Sequence, residues 1–215
     1  MAEDQFGLNV LVDYFGDGFD GLCVHDDGFA LAVVNSNGPE SRQRFTIAHE
    51  LCHHLTNDLE DGLRVDESLF ASGGNPSEMR ANAFAAHLLM PPSGVRGLVG
   101  QPFLPEMAAA VQYSFGASLL AVAFHLGNLR LIDDRWREQL RAMAVIQLAQ
   151  MAGREADYRA DDAARRRLIL PRRLHRAALD AFVVGDLGVG PVAELRGESD
   201  DEFLVWAEEN LGVRG

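Results

Sequence analysis

Residues Ala48–Leu55 read AHELCHHL. His49, Glu50, Cys52, His53 and His54 all fall in this one short run. The stretch continues a helical pattern: Phe45, Ala48, Cys52 and Leu55 recur at helical spacing from Glu40 to about Thr56. On a helix, positions four apart lie on one face, about 40° from each other. His49 and His53 are such a pair, so their imidazoles can converge on one ion. Glu50 sits one residue on, beside that ion, where it can hold a water and not close the coordination sphere. This is the mechanical content of His-Glu-x-x-His. His54 lies about 140° round from His49 by the same period and cannot share the site without distortion. Surface histidines on an amphipathic helix are the bland alternative. The apolar flank argues against it, because it would bury the helix and hold the ligands rigid.

Upstream, LCVHDDGFALAVV (Leu22–Val34) places two apolar runs about Asp26-Asp27-Gly28, a hairpin pattern in which Gly28 supplies the positive φ of a tight turn. Leu8–Val12 is a shorter strand for the same sheet. NSNGP (Asn35–Pro39) breaks the pattern and Pro39 suits the first turn of the His49 helix. Downstream, Asn57–Pro76 is acidic and Gly-rich and reads as a loop. Asn75-Pro76 opens a second helix that runs through EMRANAFAAHLLM and stops at Pro91-Pro92. A Gly/Pro-containing link leads to a helix over Leu104–Ser114. Ser118 then caps another helix that ends near Leu126, and Leu129–Ile132 reads as a short strand or a helix end. An amphipathic pattern covers Asp133 to about Ala152, a charged stretch covers Glu155–Arg167, and Pro171 starts a helix through Phe182. GDLGVG (Gly185–Gly190) is a turn, with two short helices after it. A soft boundary falls near residues 153–171.

Composition limits the function classes. The chain has 215 residues, 47% of them apolar, enough for a sizeable core. Its formal net charge is −13, and all 19 basic residues are arginine, which excludes lysine chemistry such as a Schiff base. So acidic a chain repels phosphate backbones. Cys23 and Cys52 are too few for a disulfide framework and are expected as free thiols. MAEDQFGLNV lacks the apolar run of a signal peptide, and no apolar stretch reaches the length of a membrane span. A cytoplasmic protein is expected.

A catalytic zinc site has three protein ligands and leaves its fourth position to water. Asp58, Glu60, Asp61, Asp66, Glu67 and Glu78 are candidates for the third ligand. Asn75-Pro-Ser-Glu78 is also a capping-box pattern, so from spacing alone Glu78 is as much a cap as a ligand.

RQRFTIAHELCHH, followed by EMRANAFAAHLLMPP, resembles the ImmA/IrrE family of metallopeptidases. That family reads roughly R-x-R-F-T-x-A-H-E-x-x-H, then E-x-x-A-N-x-F-A-A-x-L-L-M-P. The resemblance is close over Arg42–Pro91, and FGASLLAVAFHLGNLRLI is similar to a later family segment. It implies an α+β fold: a small zincin-like catalytic domain (a short antiparallel sheet, the His-Glu-x-x-His helix and a second ligand helix) followed by a helical C-terminal region. The division expected is 1–132, including a helix-turn-helix-like segment at 104–132, and 133–215. It implies one zinc ion per chain held by His49, His53 and Glu78, with Glu50 catalytic. The activity implied is endopeptidase cleavage of a protein substrate such as a helix-turn-helix repressor, in stress or mobile-element regulation. Three departures stand out: Cys52 replaces the usual glycine, His87 stands where glutamate is common, and the family's N-terminal helix is absent or cut short. Cys52 points elsewhere on the helix and reads as a small buried hydrophobe.

In that chemistry zinc acidifies its water and polarises the scissile carbonyl, while Glu50 takes a proton and delivers it to the leaving amine. The oxyanion needs a further donor, and Tyr113, His87 and Arg80 are candidates. A second reading comes from another class: a regulatory, antitoxin-like binding protein whose zinc site is structural and whose helical tail binds a partner.

Leu104–Leu126 has helix-turn-helix spacing, but SLLAVAFHL (Ser118–Leu126) carries only His125 as a polar reader, so direct DNA binding is not expected. The basic run RRRLILPRRLHR (Arg165–Arg176) could grip an acidic partner or nucleic acid. Asp161 and Asp162, each four residues before Arg165 and Arg166, favour a solvated and paired face. His25 and His175 read as surface histidines, and Trp136 and Trp206 as anchors in a core or interface.

Overall fold

The computed structural model describes residues 2–26, 28–57, 63–66, 75–156 and 168–212. A short helix α1 (Ala2–Phe6) leads into β1 (Leu8–Asp13), β2 (Gly21–Asp26) and β3 (Phe29–Asn35). Helix α2 (Glu40–Thr56) follows, then β4 (Leu63–Asp66). The architecture is α+β, with one sheet of order β1-β3-β2-β4. β2 and β3 form the expected antiparallel hairpin, with Gly28 at φ +85°, while Asp27 of that turn lies outside the described residues. The sheet is mixed, not purely antiparallel, because β1 pairs parallel to β3, Leu8 against Ala30 through Asp13 against Asn35. Period-2 patterning shows which face a strand buries but not which neighbour it takes. β4 corrects the reading of Asn57–Pro76 as wholly loop: Leu63–Asp66 pairs antiparallel with β2.

Alternation along β1 and β3 turns Leu8, Val10, Val12, Ala30, Ala32 and Val34 into the core, with Cys23 of β2 beside them. Ile47 and Leu51 of α2 pack against this face. Small residues at Gly21, Cys23, Ala30 and Ala32 let α2 lie close to the sheet. The helix also follows β2 along its length: Thr46 and Glu50 lie over Gly21, and His54 over His25. Eight residues of helix and four of strand each cover about 12–13 Å, so the two stay in step. α2 ends at Asn57, whose φ of 50° is left-handed, a conformation asparagine tolerates.

The other side of α2 belongs to a helical core. α3 (Pro76–Leu89), α4 (Pro92–Leu98), α5 (Pro105–Phe115), α6 (Leu119–Asn128), α7 (Asp134–Ala142) and α8 (Val145–Met151) surround it. Phe45 and Ala48 join Ala85, Met90, Val122, Leu126, Leu140 and Leu148 there. α4 was expected as a link, and Leu129–Ile132 forms neither strand nor helix beyond the cap at Leu129. The amphipathic pattern of Asp133–Ala152 is two helices, because Met143 and Ala144 leave the helical conformation between them. α9 (Arg172–Val184), α10 (Val189–Arg196) and α11 (Asp200–Leu211) build a separate cluster on Val192, Ala193, Phe203 and Ala207. Trp136 packs edge-on to Phe103, and Trp206 stacks on Phe203 with the Arg196 guanidinium 3.8 Å from its ring centre. Among the described residues no single helix is long and apolar enough to cross a membrane.

Two contacts tie the start of α9 and the residue run before it to α1 and β1. Ile169 and Val12 exchange backbone hydrogen bonds, and the buried carboxylate of Glu3 accepts from the Arg172 backbone N–H at 2.9 Å. Pro171 offers no side-chain cap to α9, so Glu3 satisfies a first-turn donor from across the fold and complements the helix dipole.

α5 and α6 meet at a bend of 111°, about the angle of a helix-turn-helix. α6 nevertheless turns Leu119, Ala121, Val122, Ala123, His125 and Leu126 into the core. His125 donates from Nε2 to the Met90 carbonyl at 2.9 Å. Burial holds its pKa below the usual 6.5, with His87 adding to the effect and the Met90 bond opposing it. The unfolded chain therefore binds this proton more readily than the folded one. The stability that His125 contributes is complete above 6.5 and falls away as pH drops below it towards the folded value. Thermal denaturation between about pH 7 and pH 5 should show a Tm falling with acidity, and a shallower fall in His125→Gln. Parallel slopes would contradict the assignment.

Candidate metal centre

α2 and α3 pack side by side, and each brings polar groups to the seam. His49 and His53, one turn apart, are fully buried, and Glu78 is 5% exposed. Their Nε2 atoms lie 3.0 Å apart. Glu78 Oε2 is 3.2 Å from His49 Nε2, and Oε1 is 3.4 Å from His53 Nε2. Zinc bonded at about 2.0–2.1 Å in tetrahedral geometry sets neighbouring ligand atoms about 3.3 Å apart. The three donors already hold that spacing. Two imidazoles and a carboxylate with converging acceptor atoms, taken out of water, call for a positive charge between them. This group could hold a metal ion.

α3 starts where Asn75 and Pro76 predict. The Asn75 side chain accepts from the Ser77 N–H at 3.0 Å, and proline occupies the first helical position. Glu78 turns both carboxylate oxygens to the histidines. On the far side of His49, Nδ1 lies 3.1 Å from Asn82 Oδ1.

Glu50 is also fully buried. It stands outside the three-donor group, with its carboxylate over Gly21 at the start of β2. A β-carbon on Gly21 would come within 2.5 Å of Thr46 Cγ2 and 3.0 Å of Glu50 Oε1. The strand can pass beneath the glutamate only because this residue has no side chain. Gly21→Ala should displace Thr46 and the Glu50 carboxylate. A loss of about 1–3 kcal/mol is expected from overpacking, read as a lower midpoint in urea denaturation. An unchanged midpoint would show that the seam yields more readily than its spacing indicates.

The remaining residues singled out in the sequence fall as follows. His54 turns away from the three donors. Its Nε2 donates to the Phe6 carbonyl at 2.8 Å, and its Nδ1 accepts from His25 Nε2 at 2.9 Å. His25 is thus a half-buried bridging residue and not a surface one; burial and the neighbouring His54 lower its pKa. His175 is likewise half-buried, 3.1 Å from Arg196 Nη1, and its pKa is lowered by burial, then by Arg196. Cys52 and Cys23 are both buried.

His87 lies about half a turn round α3 from Glu78 by the helical period. It donates from Nδ1 to the Ala83 carbonyl and sets its ring against His125. Arg80 is exposed, and Tyr113 lies half-buried on α5 beneath the Arg154 guanidinium. Asp66 ends β4, opposite Gly21. Asp58, Glu60, Asp61 and Glu67 lie outside the described residues, as do Asp161, Asp162, Arg165 and Arg166. Of the rest of that basic run, Arg172 pairs with Asp4 at 2.6 Å.

Sequence reasoning missed Gly21 and Asn82. The first is a glycine at a strand start, with no local feature to mark it. Asn82 sits four residues after Glu78, and that spacing on α3 was the available signal.

A comparison with curated proteins finds no match. The family model of peptidase M78, the IrrE N-terminal-like domain, matches residues 7–126, more than half of the chain. The matched span runs from the start of β1 into the last turn of α6 and contains His49, Glu50, His53 and Glu78. By that match the chain belongs to the peptidase M78 family, a membership that points to a metallopeptidase-like function.

Proposed function

We propose that this chain is a cytoplasmic zinc-dependent endopeptidase acting on a protein substrate, with a helix-turn-helix repressor as the expected class. The observation that carries the reading is the three-donor group: two histidines from α2 and a glutamate from α3 at mutual distances of 3.0–3.4 Å, with Glu50 adjoining it. His49, His53 and Glu78 would hold the ion. When bound, zinc supplies Lewis acidity for the scissile carbonyl and activates water as a nucleophile. Glu50 takes a proton from the attacking water and returns it to the leaving amine. Gly21 leaves room for the Glu50 carboxylate, and Thr46, bonded back to the Arg42 carbonyl, packs beside it. Tyr113, His87 and Arg80 remain the candidate oxyanion or substrate contacts. Of these, His87 commits its Nδ1 proton to the Ala83 carbonyl, which leaves only Nε2.

One observation favours the second reading, a binding protein with a structural site: His49, Glu50 and His53 show no exposure at all. Structural zinc sites are almost always closed by four protein ligands, and among the described residues the group here has three. That favours the endopeptidase. The helical unit α9–α11 exposes Val184 (71%) and Val205 (60%) and is proposed as the partner-recognition part.

The test is N-terminal labelling of a bacterial proteome incubated with the zinc-loaded protein. New N-termini at defined sites, absent when a chelator is present, are expected. The same set of N-termini with and without chelator would sink the proposal.

A further inference from the structure

We infer that Asn82 is a positioning residue that makes His49 a metal ligand by fixing its tautomer, an inference that rests on the metal-site reading above. A neutral imidazole carries one N–H and one lone pair, and only the lone pair can bind a metal. His49 has a polar partner at each ring nitrogen. Asn82 Oδ1 lies 3.1 Å from Nδ1, and Glu78 Oε2 lies 3.2 Å from Nε2. Both oxygens are acceptors and compete for one proton, and at Nε2 the His53 Nε2, 3.0 Å away, is a second group that can take it.

If Glu78 takes it, Nε2 carries the hydrogen and is closed to a metal. If Asn82 takes it, the proton sits on Nδ1 and the Nε2 lone pair points at His53 and Glu78. Glu78 and Asn82 are four residues apart on α3, and His49 and His53 are four apart on α2, so one face of each helix builds the clamp. The Asn82 amide oxygen therefore does two things. It orients the ring in the seam, and it reserves Nε2 for the ion.

The test uses the full chain with three side chains at residue 82: wild type, Asn82→Leu and Asn82→Asp. Leucine keeps the volume and removes the acceptor; aspartate keeps the acceptor. Ring-nitrogen chemical shifts of the metal-free wild type should place the His49 proton on Nδ1, and those of Asn82→Leu should move it to Nε2. Zinc affinity, read by competition with a chromophoric chelator, should fall about 10–100-fold in Asn82→Leu and stay within about threefold in Asn82→Asp. A purely packing role would shift affinity without moving the proton.

The inference is overturned if the wild-type proton resides on Nε2, or if folded Asn82→Leu keeps wild-type affinity. Should Asn82→Leu fail to fold, the wild-type shifts and the aspartate variant still decide. Absence of zinc binding by the wild type would overturn the endopeptidase reading instead, while the ring-nitrogen shifts would still judge Asn82.

Discussion

Glu50→Gln is expected to slow peptide hydrolysis about a hundred- to ten-thousand-fold while zinc content stays at the wild-type level. The two halves of this result come from separate features of the seam. Glutamine has the shape of glutamate, so it fits over Gly21 and against Thr46 without disturbing α2. Glu50 is outside the three-donor group, so the ligands are untouched. Only the ability to take and return a proton is lost. In a site where His49, Glu50 and His53 are all fully buried, no bulk water stands ready to take over that role. The measurement is the cleavage rate of a substrate found by N-terminal labelling, together with metal content per chain. Undiminished cleavage with zinc bound would remove Glu50 from the chemistry and lift the structural-site reading.

Glu78→Ala is expected to take the protein from about one zinc per chain to under about a tenth, when it is purified without added metal. Two neutral imidazoles alone provide neither the charge nor the third ligand that a buried divalent cation requires. The helix itself should survive, because its start is held by the Asn75 side chain on the Ser77 N–H and by Pro76 at the first helical position. Circular dichroism like that of the wild type, with metal lost, would separate a ligand from a cap. Full retention of metal would send the third ligand to the acidic segment that holds Asp58, Glu60, Asp61 and Glu67.

How much was legible differs between α2 and α3 for a physical reason. α2 was readable to its ends: the spacing from Glu40 to Thr56 and the relation of His49 to His53 are properties of one helix, set by a 3.6-residue period. The start of α3 was readable because capping is local chemistry between Asn75 and the two residues after it. Glu78 was ambiguous for that same reason, since a glutamate at the third helical position has a local use as well as a distant one. Where local patterning is weak the reading failed. The glycines and prolines of α4 give a link pattern that hides a short helix, and β4 lies in an acidic, Gly-rich stretch that reads as a loop.

The sequence by itself determined the elements that a residue's near neighbours decide: the hairpin, helix α2 with its paired histidines, the caps of α3 and α6, and the buried face of α6. Tertiary structure alone decided what depends on two segments meeting. It set β1 parallel to β3, brought Glu78 to the histidines and put Asn82 behind His49. It also laid Glu50 over Gly21, 29 residues earlier in the chain, and used Glu3 to cap α9. Periodicity records which face of an element is buried. Only packing decides which other face it meets, and the chemistry of this site lies in that meeting.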